Sequence, residues 1–199
     1  MDSLARIDQE VSTCTDCPLH QNRSRAVPGE GPENAEIMLI GEAPGFNEDK
    51  QGRPFVGAAG QFLDKLLASA NLSREQVYIT NTVKCRPLNN RDPLPVEMAA
   101  CRKYLDRQIE VIGPKVIVTL GRHSLTAFLP KETISKSRGR PRSVNGRTIF
   151  PMYHPAAALH QQSLREVIEA DIRKLPTLLK EAPSPGPEKE REGEQLSMF

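Results

Sequence analysis

Cys14, Cys17, Cys85 and Cys101 are the four cysteines of this 199-residue chain, and their number and spacing suit metal chemistry. Four thiolates close a tetrahedral zinc site or hold a 4Fe–4S cluster. A zinc ribbon normally shows two close pairs. Here only Cys14-x-x-Cys17 is close, and fifteen residues separate Cys85 from Cys101. The wide second spacing favours a cluster that pins the N-terminal segment onto an already folded domain. Zinc, disulfides and unliganded core cysteines are the alternatives. Met1-Asp2-Ser3-Leu4-Ala5-Arg6 lacks the basic start and apolar run of a secretory leader. A cytoplasmic, reducing setting is therefore expected, and it argues against disulfides.

A second set of reactive side chains follows four short apolar runs. Glu42 follows Glu36–Gly41, Asn81 follows Val77–Thr80, His123 follows Lys115–Gly121, and His154 follows Arg147–Tyr153. Each run has the length and composition of a buried parallel strand. Pro151 marks the last of them as an edge or a bulge. Between the runs stand helical patterns. Residues 2–13 lead into Cys14, Phe62, Leu63, Leu66 and Leu67 share one helix face, and residues 95–112 begin with Pro95 and carry Cys101. A short helix runs to about Leu129, and residues 163–180 read as one amphipathic helix. Residues 18–35 and the stretch from Pro44 to Gly57 read as loops rich in Gly and Pro. This alternation predicts a three-layer α/β/α sandwich with a mainly parallel four-stranded sheet over residues 1–181. In such a sheet ligands bind beyond the carboxyl ends of the strands, which would bring Glu42, Asn81 and His154 to one face. Each has a structural reading as well: a loop-bound carboxylate, a turn residue and a helix cap. His123 reads as a helix cap and is assigned no chemistry.

Bulk properties set limits. No apolar run is long enough to span a bilayer as a helix. The net charge of +2 divides unevenly, +4 on residues 1–181 and −2 on residues 182–199. Ser135–Arg147 holds Lys136, Arg138, Arg140, Arg142 and Arg147 without an acid, a pattern that serves a solvated loop or a phosphate-binding one.

The ensemble resembles the family 4 uracil-DNA glycosylases, the iron–sulfur branch of their superfamily. The residues that carry the resemblance are Cys14-x-x-Cys17, Gly41-Glu42-Ala43-Pro44-Gly45 with Glu48-Asp49, and Gly52-Arg53-Pro54-Phe55. Thr80-Asn81-x-x-Lys84-Cys85-Arg86-Pro87, Cys101 and His154-Pro155-Ala156-Ala157 complete the set, which keeps the family's order and spacing over about residues 1–180. The resemblance implies hydrolysis of the bond between uracil and deoxyribose in DNA by a monomer, on a base flipped out of the helix. It implies a 4Fe–4S cluster on the four cysteines, structural rather than redox-active. It implies that Phe55 stacks on the base beside Ala43, that Asn81 reads N3–H and O4, and that His154 donates toward O2 where negative charge develops. Lys84, Arg86, Arg138 and Arg140 become candidates for phosphate contacts. The loop near residues 138–143 is a candidate to press on the duplex.

The chain departs from the best-known branch of the superfamily at Ala43, where that branch has a water-positioning aspartate. Glu42, then Glu48, are the carboxylates left to activate water. Gly45 offers no bulk against a 5-methyl group. Rival readings are a broader-specificity glycosylase, a uracil-trapping branch and a non-enzymatic cluster-bearing DNA-binding module. Glu42 speaks against the family 5 branch. A basic loop without histidine speaks against trapping, and Asn81 with His154 speaks against the non-enzymatic module.

Residues 182–199 read as a disordered tail of Pro, Gly, Ser and charge. It ends in Gln195-Leu196-Ser197-Met198-Phe199. This pentapeptide resembles the bacterial β sliding-clamp-binding motif, Gln-Leu-(Ser or Asp)-Leu-Phe, with Met198 in place of the second leucine. Gln195, Leu196, Met198 and Phe199 would be its anchors, and the match implies a bacterial source.

Overall fold

The computed structural model describes residues 2–183, so the terminal pentapeptide and most of the tail lie outside the described residues. In chain order the elements are α1 (Leu4–Thr13), β1 (Ile37–Gly41), α2 (Phe46–Gln51), α3 (Ala58–Ser69), β2 (Val77–Asn81), α4 (Pro95–Ile112) and β3 (Val116–Leu120). They continue with α5 (Arg122–Thr126), α6 (Ile134–Ser137), β4 (Arg142–Val144), β5 (Arg147–Met152), α7 (Pro155–His160), α8 (Ser163–Ile172) and α9 (Leu175–Glu181).

β1, β2 and β3 are buried at every position, as strands covered on both faces must be. The sheet order is β2-β1-β3-β5-β4, with β2, β1, β3 and β5 parallel and β4 antiparallel. The period of two along β1 divides the core. Ile37 and Leu39 join Leu63, Leu66 and Leu67 of α3 and Ile168 and Ile172 of α8. Met38 and Ile40 join Leu105, Ile109 and Ile112 of α4 on the other face. These are the three layers expected from the sequence.

A third apolar cluster holds the N-terminal segment down. Ile7 and Val11 of α1 pack with Leu19, Val83, Tyr104, Cys85 and Cys101. Arg107 of α4 reinforces the contact by pairing with Asp2 and Glu10. The core of this cluster is apolar, so truncating Ile7 would cost about 2–5 kcal/mol.

The structure differs from the expectation in three places. A fifth strand, β4, lies within the basic segment and forms a hairpin with β5. Its turn is Asn145-Gly146, both at positive φ (49° and 73°), the backbone that a two-residue hairpin demands. The segment from residue 138 to 143 is thus partly strand rather than free loop. Phe46–Gln51 is a helix, α2, not loop. The long terminal helix divides into α8 and α9, because Pro176 has no N–H to continue the ladder and sits instead in the first turn of α9. Pro151 fits its strand because β4 pairs with β5 only through Ile149.

Candidate active site

β1 lies between β2 and β3, so the chain reverses its direction of winding at β1, and a cleft opens at the carboxyl ends of the strands there. The cleft has a volume of about 460 Å³. Glu42, Ala43, Glu48, Phe55, Asn81 and His154 all line it, so the topology unites every base-contacting and catalytic residue expected from the sequence.

Asn81 ends β2 and is only 1% exposed. Its side-chain Oδ1 is buried without a hydrogen-bond partner. Such an atom costs free energy unless a ligand supplies a donor. Gly41 makes room for it. A Cβ at residue 41 would meet Asn81 Oδ1 at 2.4 Å and the Phe55 ring at 2.6 Å.

Phe55 has φ of +52°, a strained backbone for an aromatic residue. Arg74 holds it by donating to the carbonyls of Pro54 and Phe55, and is itself anchored by Asp64 at 3.0 Å. Gly60 packs flush beneath, where a Cβ would meet the Phe55 carbonyl oxygen at 1.8 Å.

His154 follows β5 and caps α7: its Nδ1 accepts the Ala156 N–H at 3.1 Å. The neutral ring must therefore carry its proton on Nε2, leaving that atom as a donor. Burial lowers its pKa to about 4, so the ring is neutral at physiological pH. Gly121 clears its path, since a Cβ there would lie 3.2 Å from His154 Cβ.

The two candidate carboxylates differ. Glu48 accepts three backbone N–H groups, from Gly45 at 3.1 Å and from Val56 and Gly57 at 2.8 Å. It shapes the loops at the rim, and those bonds leave little of it to handle water. Glu42 stands with Asp92 and His123, donor atoms all within 4.8 Å of one another. Burial first, then the Asp92 charge, push the Glu42 pKa up, while His123 and Arg122 pull against the rise. Glu42 is thus the better placed acceptor of a proton. His123 does not cap α5, whose N-cap is Gly121; it sits 3.6 Å from Glu42 Oε2 and 3.4 Å from Asp92 Oδ2. Asp92 and Arg74 carry no periodic or motif signal in the sequence, and His123, which follows an apolar run, was read there only as a cap.

The four cysteines converge between α1, the β2–α4 loop and α4, and all four thiols are free. Among the described residues, no three of the sulfurs lie within 4.8 Å of one another. A single zinc ion would hold four thiolates about 3.8 Å apart, given bonds of about 2.3 Å in a tetrahedron. The four thiols line one small pocket but are not drawn together as tightly as a single tetrahedral ion would draw them. Cys85 Sγ accepts from Arg23 at 3.1 Å and Cys101 Sγ from the Lys84 N–H at 3.3 Å, contacts suited to thiolates. Burial first, then the neighbouring Cys85 and Cys17, push the Cys101 thiol up to about 11, against the pull of Lys84.

The expected phosphate contacts fare unevenly. Lys84 is 1% exposed and its ammonium is enclosed by Thr80, Asn81 and Gln108, so it cannot reach a phosphate. Arg138 is bonded to the buried Asp171 at 3.0 Å, which gives it a structural part. Arg140 is exposed. Arg86 stacks over the exposed ring of Phe46, on the rim of the cleft.

Residues 28–175 match the family model described as "Uracil DNA glycosylase superfamily". The chain is 52% identical over 185 residues to the type-4 uracil-DNA glycosylase of Sulfurisphaera tokodaii, covering 88% of this chain and 84% of that one. It is 46% identical over 179 residues to the type-4 uracil-DNA glycosylase of Thermotoga maritima, covering 87% and 93%. Similarity to the type-5 uracil-DNA glycosylase of Thermus thermophilus is lower and shorter, 37% over 129 residues, covering 57% and 58%.

Proposed function

The chain belongs to the uracil DNA glycosylase superfamily, in its type-4 branch, and from that premise we propose how it works. It is a hydrolase that cleaves the N-glycosidic bond of deoxyuridine in DNA and leaves an abasic site for repair. The observation that carries the mechanism is the buried, unpartnered Oδ1 of Asn81. Uracil N3–H supplies the missing donor and O4 takes the amide N–H. Cytosine, with a bare N3 and an amino group at C4, satisfies neither. Phe55 supports the flipped ring. The Nε2–H of neutral His154 donates to O2 as negative charge gathers there, so the bond strengthens toward the transition state. Glu42 is the carboxylate that accepts the proton of the attacking water.

Cys14, Cys17, Cys85 and Cys101 would hold a 4Fe–4S cluster, which supplies a rigid cross-link between α1, the β2–α4 loop and α4. The type-4 relationship and the convergence of the four thiols on one pocket support this reading. Arg86 and Arg140 remain the surface cations offered to phosphate. The terminal Gln195-Leu196-Ser197-Met198-Phe199 is proposed to bind a bacterial β sliding clamp and so bring the enzyme to newly copied DNA. With it go a bacterial source and a cytoplasmic setting.

A labelled oligonucleotide with one deoxyuridine tests the activity. The expected outcome is alkali-labile cleavage at that position, and none where thymidine or deoxycytidine replaces it. Protein purified without air should be brown and carry about four irons per chain. One zinc per chain without iron would overturn the cluster. Deleting residues 195–199 should abolish clamp binding and leave excision from a short oligonucleotide unchanged.

A further inference from the structure

Lys84 is the most enclosed cation among the described residues, and no role outlined so far uses it. Its ammonium has three donors and meets three acceptors: Thr80 Oγ1 at 2.6 Å, Gln108 Oε1 at 2.7 Å and the backbone carbonyl of Asn81 at 2.9 Å. The partners are fixed in turn. Thr80 Oγ1 donates to the Pro28 carbonyl, and Gln108 Nε2 donates to the same carbonyl and to Tyr78 Oη. The main chain of Lys84 reaches the other way, with its N–H on Cys101 Sγ and its carbonyl taking the Val27 N–H at 2.7 Å. The next residue is Cys85.

The segment Asn81–Cys85 therefore has a cleft residue at one end and a thiol at the other, and the Lys84 side chain folds back to close it. The segment is also stapled to the Glu42 loop: Thr82 N–H donates to Gly41 O, and Val83 N–H and Thr82 Oγ1 donate to Glu42 O. Ala43, on the cleft wall, packs against the cysteine cluster from behind. Ala43 and the Asn81–Cys85 segment thus border both sites.

We propose that Lys84 is a positioning residue that ties the orientation of Asn81 to the integrity of the four-cysteine pole. Filling the pole fixes Cys85 and Cys101, Lys84 is fixed with them, and its ammonium then holds the Asn81 carbonyl so that the amide faces the base. A cluster on four thiolates is also a buried anion, and Lys84 is the enclosed cation beside it. The inference rests on the cluster reading above.

Linkage makes it testable, because coupling between two sites is reciprocal. Iron-loaded protein is exposed to an iron chelator, and bleaching of its visible absorbance is timed with and without saturating free uracil. Uracil should slow bleaching of the wild-type protein by about 5-fold or more, the lower end of ordinary site-to-site coupling. In Lys84→Met the same uracil should give no protection. A merely structural lysine would speed bleaching but leave the uracil effect intact. Should Lys84→Met fail to accumulate, Lys84→Met with Gln108→Leu removes the stranded acceptor as well and serves in its place. Absence of protection in the wild-type protein overturns the proposal without any variant, as does equal protection in wild type and variant. Protein without iron would overturn the cluster reading first and this one with it, so the two failures are distinguishable.

Discussion

The ring of Phe55 stacks on that of His154, with centroids 5.5 Å apart and planes inclined by 28°. The residue that supports the base and the residue that polarises it are therefore one packed unit, assembled from the loop between α2 and α3 and the segment after β5. Its stiffness comes from outside the cleft, because Arg74 grips the carbonyls of Pro54 and Phe55, one on each side of the Phe55 Cα. Phe55→Ala should weaken handling of the base by about 1–3 kcal/mol, the usual worth of base–aromatic stacking. Arg74→Met should reproduce part of that loss without touching the cleft. Single-turnover rates and KM on a deoxyuridine oligonucleotide measure both, and an Arg74→Met enzyme with wild-type parameters would separate the strained backbone from function.

His154→Ala should lower the excision rate by on the order of 100-fold, the common result of removing one transition-state donor. The fold should survive, since the lost cap concerns only the short α7. The ring also carries a pH signature. Its folded pKa of about 4 lies below the ordinary histidine value, because burial disfavours the imidazolium. Above about pH 6.5 both folded and unfolded chains keep it neutral. As pH falls from there toward 4, the unfolded chain takes a proton that the folded chain refuses, and the residue's contribution to stability is lost. Activity should show no inflection near pH 6.5 that His154→Ala removes.

Asn81→Asp replaces an amide that accepts and donates with a carboxyl group that, ionised, only accepts. It should cut uracil excision and narrow the gap between uracil and cytosine, whose amino group can donate to the new acceptor. Ratios of kcat/KM on matched uracil and cytosine oligonucleotides read this directly. An unchanged ratio would show that the amide does not face that edge.

The parallel sheet was legible in the sequence because its strands are buried on both faces and so spell uninterrupted apolar runs, and the groups following those runs fell where sheet topology puts ligands. Glu42, Asn81 and His154 were found this way. What escaped was set by tertiary contact. Lys84 carries the signature of a phosphate ligand, yet it folds inward to three acceptors from β2 and α4. Asp92 comes from the loop before α4 with no periodicity, and His123, in the first turn of α5, follows an apolar run but was read as a cap; both meet Glu42 only in space. The β4–β5 hairpin did have a local sign, Asn145-Gly146 between Val144 and Arg147, masked by the run of basic residues around it.

Cys17→Ser tests what the cysteines hold. α1 contributes Ile7 and Val11 to the cluster around Cys85 and Cys101, so losing a ligand at Cys17 frees the segment that buries them. The thermal midpoint should fall by several degrees or more, with excision at low temperature reduced less than stability. Calorimetry beside a low-temperature rate measures both. A Cys17→Ser protein as stable as wild type would mean that the pole does not hold the N-terminal segment.

Glu42 gives the sharpest pH test, because Asp92 sits beside it on a different loop. Burial and the Asp92 charge both raise the Glu42 pKa above the ordinary carboxylate value. If Glu42 takes the proton from water, it must be ionised, so the rate should fall as pH drops through that raised value, before His154 begins to titrate at about 4. Asp92→Asn removes the repelling charge, so Glu42 should ionise more readily and the acid limb should move to lower pH. The shift has this sign even though Arg122 is released from Asp92 by the same change, since a freed guanidinium nearby also favours the ionised form. Glu42→Gln should lower the plateau rate and erase the limb. Single-turnover rates from about pH 4 to 8 on one oligonucleotide distinguish these outcomes. A limb that stays in place in Asp92→Asn, or survives in Glu42→Gln, would assign water activation to a different group.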